Sequence, residues 1–418
     1  MHKLIINGGK KLEGEVIISG AKNSAVALIP GAILCDETIT LSNVPDISDV
    51  DALEYILMHL NAKIKREGNN LYISSDKIKN IKIDETLAKR LRASYYFMGA
   101  LLGKYNHCEM CFPGGCSIGT RPINLHLEGF KKLGAVIEED GDNFILDAPN
   151  GLKGTKIYLD FASVGATINL MYAAVRAEGT TIISNAAKEP EIVNVATYLN
   201  NMGAKITGAG TKKIKIEGVK HLHSCFHEVI PDRIEAGTYE IIGAACCSKL
   251  IIRNIIPEHL ESLNNELSHM NVNIEVYDDY VVINGTDNLD PTDIVTEIYP
   301  GFPTDLQQVI ASLMTQANGE SEIHETIWEN RFQNLYELQK MGAKVKIDGE
   351  RAIIKGKTPL KGCVVKATDL RAGAGLVVAG LLAKGKTTIT NADLILRGYD
   401  KIVEKLSALG ADVELTEI

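Results

Sequence analysis

The residues best suited to chemistry lie in an irregular segment that begins at Phe112. Between Phe112 and Pro122 there are three glycines and two prolines, a composition that predicts a loop. This loop carries Cys116 and Arg121. An exposed thiol beside cationic groups shifts toward the thiolate from a reference pKa of about 8.5, so Cys116 is predicted to be a chemically active thiol. The other seven cysteines lie in predicted strands, helices or apolar runs, and we interpret them as packing residues.

A second set of polar side chains recurs just before stretches rich in alanine, glycine and other apolar residues. Its members are Lys22 and Asn23, Arg92, Ser163, Asp232 and Arg233, Thr304 and Asp305, and Asp369 and Arg371. A helix start offers free N–H groups and the positive end of the helix dipole, which suit a bound anion. Serine, threonine and aspartate are also good N-caps, and this alternative stays open for Ser163 and Thr304. The dipole disfavours lysine and arginine there, so the cations predict a chamber for a small anionic substrate.

The elements that must position these side chains come from an internal repeat. One helix of each repeat ends in a short signature that begins at Leu60, Leu133, Met202, Met270, Met341 and Leu409, so that successive copies lie 68 to 73 residues apart. Each unit is predicted to read helix, strand, helix, strand, strand, strand. The first helix of each unit is apolar on all sides, which predicts burial in a core. These core helices are expected at 23–34, 93–102, 165–176, 235–246, 305–316 and 372–383.

The ends of the chain predict how the units are divided. The sixth copy ends at Val413-Glu-Leu and lacks its last strands, whereas the N-terminus has two strand patterns, Lys3-Leu-Ile-Ile and Gly14-Glu-Val-Ile-Ile. We therefore predict an α/β protein with two domains of three units each, 22–229 and 1–21 plus 230–418. The cleft between the domains is the expected ligand site.

Composition and charge narrow the class of protein. The 418 residues carry a net charge of −9, which argues against nucleic acid or an anionic membrane as a partner. No apolar run reaches the ~18 residues that a membrane span needs, and the N-terminus does not resemble a signal peptide. Cys108 and Cys111 form a lone pair without further ligands, so no metal is expected. We predict a cytoplasmic protein with reduced thiols and no obligate protein partner.

Nine segments resemble the UDP-N-acetylglucosamine 1-carboxyvinyltransferase family of enolpyruvyl transferases, over the full length of the chain. They are Gly20–Asn23, Leu91–Ser94, Pro113–Pro122, Ser163–Thr167, Pro231–Glu235, Phe302–Asp305, Glu329–Phe332, Ala367–Ala372 and Arg397–Tyr399. The resemblance implies two inside-out α/β barrel domains of three helix-strand-helix-strand units, with the active site in the interdomain cleft. It also implies that the enolpyruvyl group of phosphoenolpyruvate passes to the 3′-hydroxyl of UDP-N-acetylglucosamine. Phosphate leaves, and neither a metal nor a cofactor takes part.

The resemblance also implies roles for individual residues. Cys116 is the implied general acid and the thiol that the inhibitor fosfomycin alkylates, and Asp305 is the implied base for the sugar hydroxyl. The implied phosphoenolpyruvate residues are Lys22, Asn23, Arg121, Arg371 and Arg397, with Arg371 on the carboxylate. The implied nucleotide-sugar residues are Arg92, Arg121, Pro122, Ile123, Asn124, Leu125, Ser163, Val164, Gly165, Asp305 and Ile327. Asp369 and Glu329 are secondary acid/base or orienting groups, or else salt-bridge partners of Arg371 and Arg331.

Three positions depart from the family pattern. Phe161 stands where many members have lysine, Asn124 where many have aspartate, and Leu394-Ile-Leu396 replaces a triplet that commonly begins with histidine. Two alternatives therefore stay open: a non-catalytic sensor of UDP-N-acetylglucosamine, and the sister enzyme that acts on shikimate 3-phosphate. A purely structural repeat protein does not explain charges at the starts of buried helices.

Overall fold

The computed structural model describes residues 2–113 and 123–417. These residues form two compact units. Residues 20–113 and 123–230 make up the first unit, and residues 2–19 and 231–417 make up the second. Each unit has a hydrophobic core of its own.

Helices and strands are numbered in chain order. The strands are β1 (His2–Gly8), β2 (Leu12–Ile17), β3 (Thr38–Ser42), β4 (Lys63–Glu67), β5 (Asn70–Ser74), β6 (His107–Cys111), β7 (Val136–Asp140), β8 (Asn143–Asp147), β9 (Lys156–Tyr158), β10 (Thr180–Ser184), β11 (Lys205–Thr207), β12 (Lys213–Glu217), β13 (Phe226–Glu228), β14 (Cys247–Arg253), β15 (Asn273–Val276), β16 (Tyr280–Asn284), β17 (Ile294–Val295), β18 (Glu320–His324), β19 (Lys344–Asp348), β20 (Arg351–Lys355), β21 (Val364–Lys366), β22 (Gly385–Thr390) and β23 (Asp412–Glu417). The α-helices are α1 (Lys22–Gly31), α2 (Ser48–His59), α3 (Glu85–Arg90), α4 (Tyr96–Tyr105), α5 (Asn124–Lys132), α6 (Val164–Ala174), α7 (Pro190–Asn201), α8 (Arg233–Cys246), α9 (Glu261–His269), α10 (Thr304–Met314), α11 (Gln333–Lys340), α12 (Leu370–Leu382), α13 (Asp393–Leu396) and α14 (Ile402–Ala408). Short 3₁₀ turns lie at Ala32–Leu34, Arg92–Tyr95 and Pro257–Leu260. None of the helices in the two described ranges is long and apolar enough to cross a membrane.

The six predicted core helices are confirmed as α1, α4, α6, α8, α10 and α12. In the first unit α4 packs against α1 and α6, and in the second α8, α10 and α12 pack against one another. Every residue of α12 from Leu370 to Leu381 is buried, as expected for a helix without a polar face. Glycine permits the closest approaches: a Cβ at Gly99 would stand 2.3 Å from the main-chain oxygen of Asn169, and one at Gly375 would stand 2.4 Å from that of Gln308.

The described strands form six open sheets, three in each unit. Their strand orders are β13-β3-β5-β4, β6-β8-β7 and β11-β12-β10-β9 in the first unit, and β15-β16-β14-β2, β17-β18-β20-β19 and β21-β22-β1-β23 in the second. None of these sheets closes into a β-barrel. The N-terminal strands belong to the second unit, because β1 lies antiparallel between β22 and β23 and β2 runs parallel to β14. They complete two of its sheets.

Two positions that recur along the chain have a left-handed backbone, which explains why the same residue types recur there. The second residue after one helix of each repeat is left-handed, with φ between 65° and 101°, at Asn61, Gly134, Gly203, Asn271, Gly342 and Gly410. Glycine and asparagine adopt this conformation most readily and so end a helix. A second left-handed residue, with φ of 55° to 58°, follows the strand after the core helix at Asn43, Asn185, Asn254 and Asn391. Its amide donates to a main-chain oxygen at the end of the neighbouring segment, namely that of Val229, Leu159, Ile18 or Ala367.

The second repeat departs from the predicted order of elements. Its sheet has three strands within the described residues, where the other five have four. At the place of the missing parallel strand, the N–H of Ile83 donates to the main-chain oxygen of Glu109 at 3.1 Å. An additional helix, α3, begins directly afterwards, and the Asp84 carboxylate caps it by accepting from the N–H of Leu87 at 3.1 Å. Because the Asp84 cap begins α3 directly after the hydrogen bond between Ile83 and Glu109, no further strand pairing follows in this segment.

Candidate active site

The predicted polar positions lie at the starts of the core helices or in the turn before them. Lys22 is the first residue of α1, Arg92 begins the 3₁₀ turn before α4, Ser163 precedes α6, Asp232 and Arg233 begin α8, Thr304 and Asp305 begin α10, and Asp369 and Arg371 begin α12. Three of them are N-caps. The side chains of Ser163, Asp232 and Asp369 accept hydrogen bonds from main-chain N–H groups of their helices. Ser163 is therefore an N-cap, whereas the Thr304 hydroxyl donates to Glu325.

The Asp305 carboxylate lies between two arginines of the second unit. Its Oδ1 accepts from a terminal nitrogen of Arg331 at 2.8 Å, and its Oδ2 lies 3.2 and 3.3 Å from two nitrogens of Arg371. Both arginine side chains are 3 % exposed, whereas that of Asp305 is 27 % exposed. Burial opposes the charge on Arg371, but Asp305 together with Tyr399 and Asp232 outweighs it and raises the guanidinium pKa above its ordinary value. A partly exposed carboxylate, that of Asp305, is thus paired with two buried guanidinium groups.

Asp369 orients the helix that carries Arg371. Its Oδ1 accepts from the main-chain N–H groups of Arg371 and Ala372, both at 2.9 Å, and its Oδ2 accepts from the Gln308 amide at 3.1 Å. The side chain is buried, and both oxygens are occupied. Of the roles predicted for Asp369, these contacts favour the orienting one. Its contact with Arg371 runs through the main chain.

The remaining predicted residues of the second unit lie on two short segments. Arg397 is half-buried directly after α13, and the guanidinium of Arg371 lies 5.5 Å from the ring centre of Tyr399. The main-chain N–H of Ile327 donates to Glu325 at 2.9 Å, and Glu329 is exposed two residues later. The cation–π contact connects Arg371 to the segment that contains Arg397.

In the first unit, the start of α1 brings Lys22 and Asn23 against carboxylates. The Lys22 ammonium lies 3.0 Å from Asp49, in a pair whose side chains are 15 % and 4 % exposed. The Asn23 amide lies 3.5 Å from Glu191. Because an ammonium group has three donors, Lys22 can keep Asp49 and still contact an anion.

Arg92, Ile123 and Asn124 line one cavity of the first unit. The cavity has a volume of about 240 Å³, and Phe112, Pro113, Leu127 and Glu139 complete its lining. Burial lowers the pKa of the Arg92 guanidinium from its ordinary value. Leu125 is half-buried on the same helix, α5, as Asn124. The structure thus brings together three of the residues predicted for the nucleotide-sugar.

Gly165 marks a second close approach in the first unit. A Cβ there would stand 2.8 Å from the Tyr95 hydroxyl and 3.0 Å from Cε1 of His126. His126 is buried 2.8 Å from the Asn169 amide, and burial, assisted by the charge of Arg92, lowers its pKa to about 3. His126 is therefore a neutral packing residue rather than a proton carrier. The glycine places the first turn of α6, with Val164, directly against the turn that carries Arg92.

Cys116, Arg121 and Pro122 lie outside the described residues. Burial raises the pKa of the thiols of the seven described cysteines, to about 11 in Cys225 and to about 12 in Cys247. These seven thiols are therefore poor nucleophiles at neutral pH, in agreement with a packing role. In the parts of the chain that the structure describes, no group of three or more histidine, cysteine, aspartate or glutamate side chains could hold a metal ion.

Sequence reasoning missed several partners of the predicted residues. Arg331 was considered only as a partner of Glu329, although its guanidinium binds Asp305 and Thr304. Asp49 carried no signal apart from its charge. One sign was available for Glu325, since it interrupts a position that is asparagine in four other repeats.

Comparison with known proteins identifies the family of this chain. The family model of EPSP synthase (3-phosphoshikimate 1-carboxyvinyltransferase) matches residues 6–406. The chain is 52 % identical over 421 residues to UDP-N-acetylglucosamine 1-carboxyvinyltransferase 2 of Oceanobacillus iheyensis, which covers 100 % of this chain and 98 % of the relative. It is 51 % identical over 419 residues to UDP-N-acetylglucosamine 1-carboxyvinyltransferase 1 of Streptococcus agalactiae, with full coverage of both.

Among solved structures, the enolpyruvyl transferase NikO from Streptomyces tendae superposes with a TM-score of 0.90 at 27 % identity and covers 99 % of both chains. The similarity to this mixed α/β structure spans both units. The chain belongs to the EPSP synthase family of enolpyruvyl transferases and, within it, to the UDP-N-acetylglucosamine 1-carboxyvinyltransferases.

Proposed function

We propose that this protein transfers the enolpyruvyl group of phosphoenolpyruvate to the 3′-hydroxyl of UDP-N-acetylglucosamine and releases phosphate, as the first committed step of peptidoglycan precursor synthesis. The observation that carries the proposal is identity of 51–52 % to UDP-N-acetylglucosamine 1-carboxyvinyltransferases over the whole chain. The Asp305–Arg371 pair at the starts of two core helices supplies a chemical basis. The relatives favour neither the shikimate enzyme nor a non-catalytic sensor.

The proposed reaction has two steps. Asp305 takes the proton of the sugar hydroxyl while the hydroxyl oxygen attacks C2 of phosphoenolpyruvate. Cys116 gives a proton to C3 in the same step, and the product is a tetrahedral ketal. In the second step the Cys116 thiolate takes a proton back from C3 as the C2–O bond to phosphate breaks, so that the double bond is restored. The phosphate leaves with the proton that Asp305 took from the sugar hydroxyl. The partly exposed carboxylate of Asp305 is suited to the first proton transfer.

The cations are proposed to hold the charges of phosphoenolpyruvate. Arg371 binds the carboxylate through its guanidinium fork. Lys22, Arg121 and Arg397 bind the phosphate, and Asn23 contacts phosphoenolpyruvate or the ketal. Asp305 occupies Nε and one terminal nitrogen of Arg371, and the other terminal nitrogen has no hydrogen-bond partner among the described residues, so it is proposed to contact the incoming carboxylate.

The nucleotide-sugar is proposed to bind mainly to the first unit. Arg92, Arg121, Pro122, Ile123, Asn124 and Leu125 contact the nucleotide, and Ser163, Val164 and Gly165 contact the diphosphate. Ile327 and Asp305 of the second unit contact the sugar. The cavity beside Arg92 supports the nucleotide part of this assignment. Glu329 and Asp369 are proposed as orienting groups.

The family fold supports a finer proposal for the architecture. We propose that the two units are inside-out α/β barrels, with helices at the centre and sheets outside. The proposed domain bounds are 22–229 for one barrel and 1–21 plus 230–418 for the other. The cleft between the two domains is proposed to hold the active site. The three mutually packed core helices of the second unit support the barrel arrangement. We also propose a cytoplasmic location, since both substrates are charged phosphates that stay in the compartment that makes them.

Phosphate release provides the test. It is measured from phosphoenolpyruvate with UDP-N-acetylglucosamine, with shikimate 3-phosphate and with neither, for the wild type and for Cys116→Ala. Release only with the nucleotide-sugar, lost in the variant, is the expected result. Release with shikimate 3-phosphate would show that the protein is the sister enzyme. Binding of UDP-N-acetylglucosamine without phosphate release would show that it is a non-catalytic sensor.

A further inference from the structure

Glu325 occupies a position that is asparagine in four other repeats. Asn43, Asn185, Asn254 and Asn391 each follow the strand after a core helix, and each donates its side-chain amide to a main-chain oxygen. Glu325 follows β18 at the same place. It is 1 % exposed, and a carboxylate cannot make the bond that the asparagines make. The position therefore has a different task in the repeat that carries Asp305.

The Glu325 carboxylate accepts four hydrogen bonds from three segments. Its Oε1 accepts from the Thr296 hydroxyl at 2.9 Å and from the main-chain N–H groups of Ile327 and Trp328 at 2.9 and 3.1 Å. Its Oε2 accepts from the Thr304 hydroxyl at 2.8 Å. One oxygen thus holds the loop that contains Ile327, and the other holds the start of α10.

Thr304 connects this carboxylate to the proposed base. A hydroxyl has one proton, so the bond to Glu325 turns the lone pairs of Thr304 toward Arg331, whose terminal nitrogen lies 3.1 Å away. The other terminal nitrogen of Arg331 donates to Oδ1 of Asp305 at 2.8 Å. A continuous chain of hydrogen bonds runs from Glu325 through Thr304 and Arg331 to Asp305.

We propose that Glu325 is a positioning residue for the transfer reaction, which holds Asp305 and the Ile327–Trp328 loop in one fixed arrangement. The inference rests on the proposed function, in which Asp305 is the base and Ile327 contacts the sugar. Hydrogen bonds to a buried carboxylate are short and strong, so they restrict the groups they hold. Loss of the arrangement displaces the base by a fraction of an ångström, to which a proton transfer is sensitive.

Glu325→Gln separates the two halves of the network. Three donors converge on Oε1, so the oxygen of the glutamine amide has to stay there, and its NH₂ group faces Thr304. The amide then donates to the Thr304 hydroxyl, whose proton loses its carboxylate acceptor, so a neutral hydrogen bond replaces a charge-assisted one. The loop keeps its hydrogen bonds, whereas the link to Asp305 is weakened.

The experiment measures kcat, both KM values and the Kd of UDP-N-acetylglucosamine, the last from the fluorescence of Trp328, the sole tryptophan. In Glu325→Gln we expect kcat to fall about tenfold to a hundredfold, with the Kd of UDP-N-acetylglucosamine within about threefold of the wild type. Thr304→Val should give the same loss, and the double variant should lose no more than either single variant. Thr304→Ser keeps the hydroxyl and should recover most of the rate.

Glu337→Gln is the matched control. Glu337 is a buried carboxylate of the same unit that accepts from the Lys366 N–H at 3.0 Å and from Lys340. An unchanged kcat in Glu325→Gln, additive losses in the double variant, or an equal loss in Glu337→Gln would overturn the inference. If Glu325→Gln does not fold, Thr304→Val and Thr304→Ser decide alone by the same kcat criterion. Absence of transfer by the wild type refutes the proposed function instead, so the two failures are distinguishable.

Discussion

Oδ2 of Asp305 lies 3.2 Å from a terminal nitrogen of Arg371 and 3.3 Å from its Nε. The proposed base and the proposed carboxylate-binding arginine are therefore partners of each other. An ion-paired carboxylate accepts a proton less readily than an unpaired one. A substrate carboxylate that takes over Arg371 would release Asp305 for proton transfer, so binding of phosphoenolpyruvate and activation of the base would be one event.

Replacement of Asp305 by asparagine tests the base. Asp305→Asn keeps the shape of the side chain but cannot take a proton, so kcat should fall by about a hundredfold to ten-thousandfold, with both KM values changed by less than about fivefold. Steady-state phosphate release measures this. Asp84→Asn, which removes the N-cap carboxylate of α3, is the control and should keep the rate. A kcat within threefold of the wild type in Asp305→Asn would exclude the assignment.

Replacement of Arg371 by lysine tests whether its guanidinium group binds the carboxylate of phosphoenolpyruvate through two nitrogens. A lysine reaches one partner with one point charge, whereas the guanidinium binds a carboxylate through two nitrogens. The KM of phosphoenolpyruvate should rise about tenfold or more in Arg371→Lys, with the KM of UDP-N-acetylglucosamine within about threefold. The equivalent change at Arg351, which pairs with Glu322 on the surface, should leave both constants unchanged. A selective rise in the KM of the nucleotide-sugar would instead assign Arg371 to that substrate.

The fold was predictable where a residue type answers a conformational demand. Gly134 and Gly203 are left-handed at helix ends, and asparagine or glycine at that place made the repeat visible. The second repeat could not be foreseen in full. Its extended segment before Ile83 resembles the other strands in composition, and the cap at Asp84 decides where it ends.

The site was predictable as a set of positions but not as a set of pairs. Asp305 and Arg371 stood out because both lie at helix starts, at one phase of the repeat, where burial disfavours either charge and the dipole also disfavours the arginine. The choice of partner was not visible, since Arg331 is close in sequence to Glu329 but contacts Asp305, 26 residues away. Local sequence does not indicate such a contact between a residue of a loop, Arg331, and a residue at a helix start, Asp305.

Labelling tests whether Cys116 is the reactive thiol. The seven described cysteines are buried or half-buried, and burial raises the pKa of each thiol. Fosfomycin should therefore add once per chain, on the peptide that contains Cys116, with loss of activity in proportion. Intact-mass and peptide-mass spectrometry measure this. Cys116→Ala should take up no adduct, and an adduct on another cysteine would contradict the assignment.

The buried Glu235 should make stability depend on pH. Its carboxylate is 2 % exposed, and Lys405 at 2.6 Å and the Ser19 N–H at 2.8 Å stabilise its charge. Burial nevertheless dominates and raises the pKa of Glu235 to about 7. The folded state then binds more protons than the unfolded state, whose glutamate pKa is about 4.3. The resulting stabilisation is full below pH 4 and is lost as the pH rises to 7, roughly 3 kcal/mol in total.

Glu235→Gln removes this titration while it keeps the shape of the side chain. The unfolding free energy of the wild type, relative to that of the variant, should fall by roughly 2–3 kcal/mol between pH 5 and pH 8. Urea titrations followed by the fluorescence of Trp328, which lies in the same unit, measure it at each pH. In Lys405→Met the decline should extend above pH 7, because the cation that lowers the pKa of Glu235 is gone. A difference between wild type and Glu235→Gln that is constant over this range would mean that Glu235 is ionised throughout it.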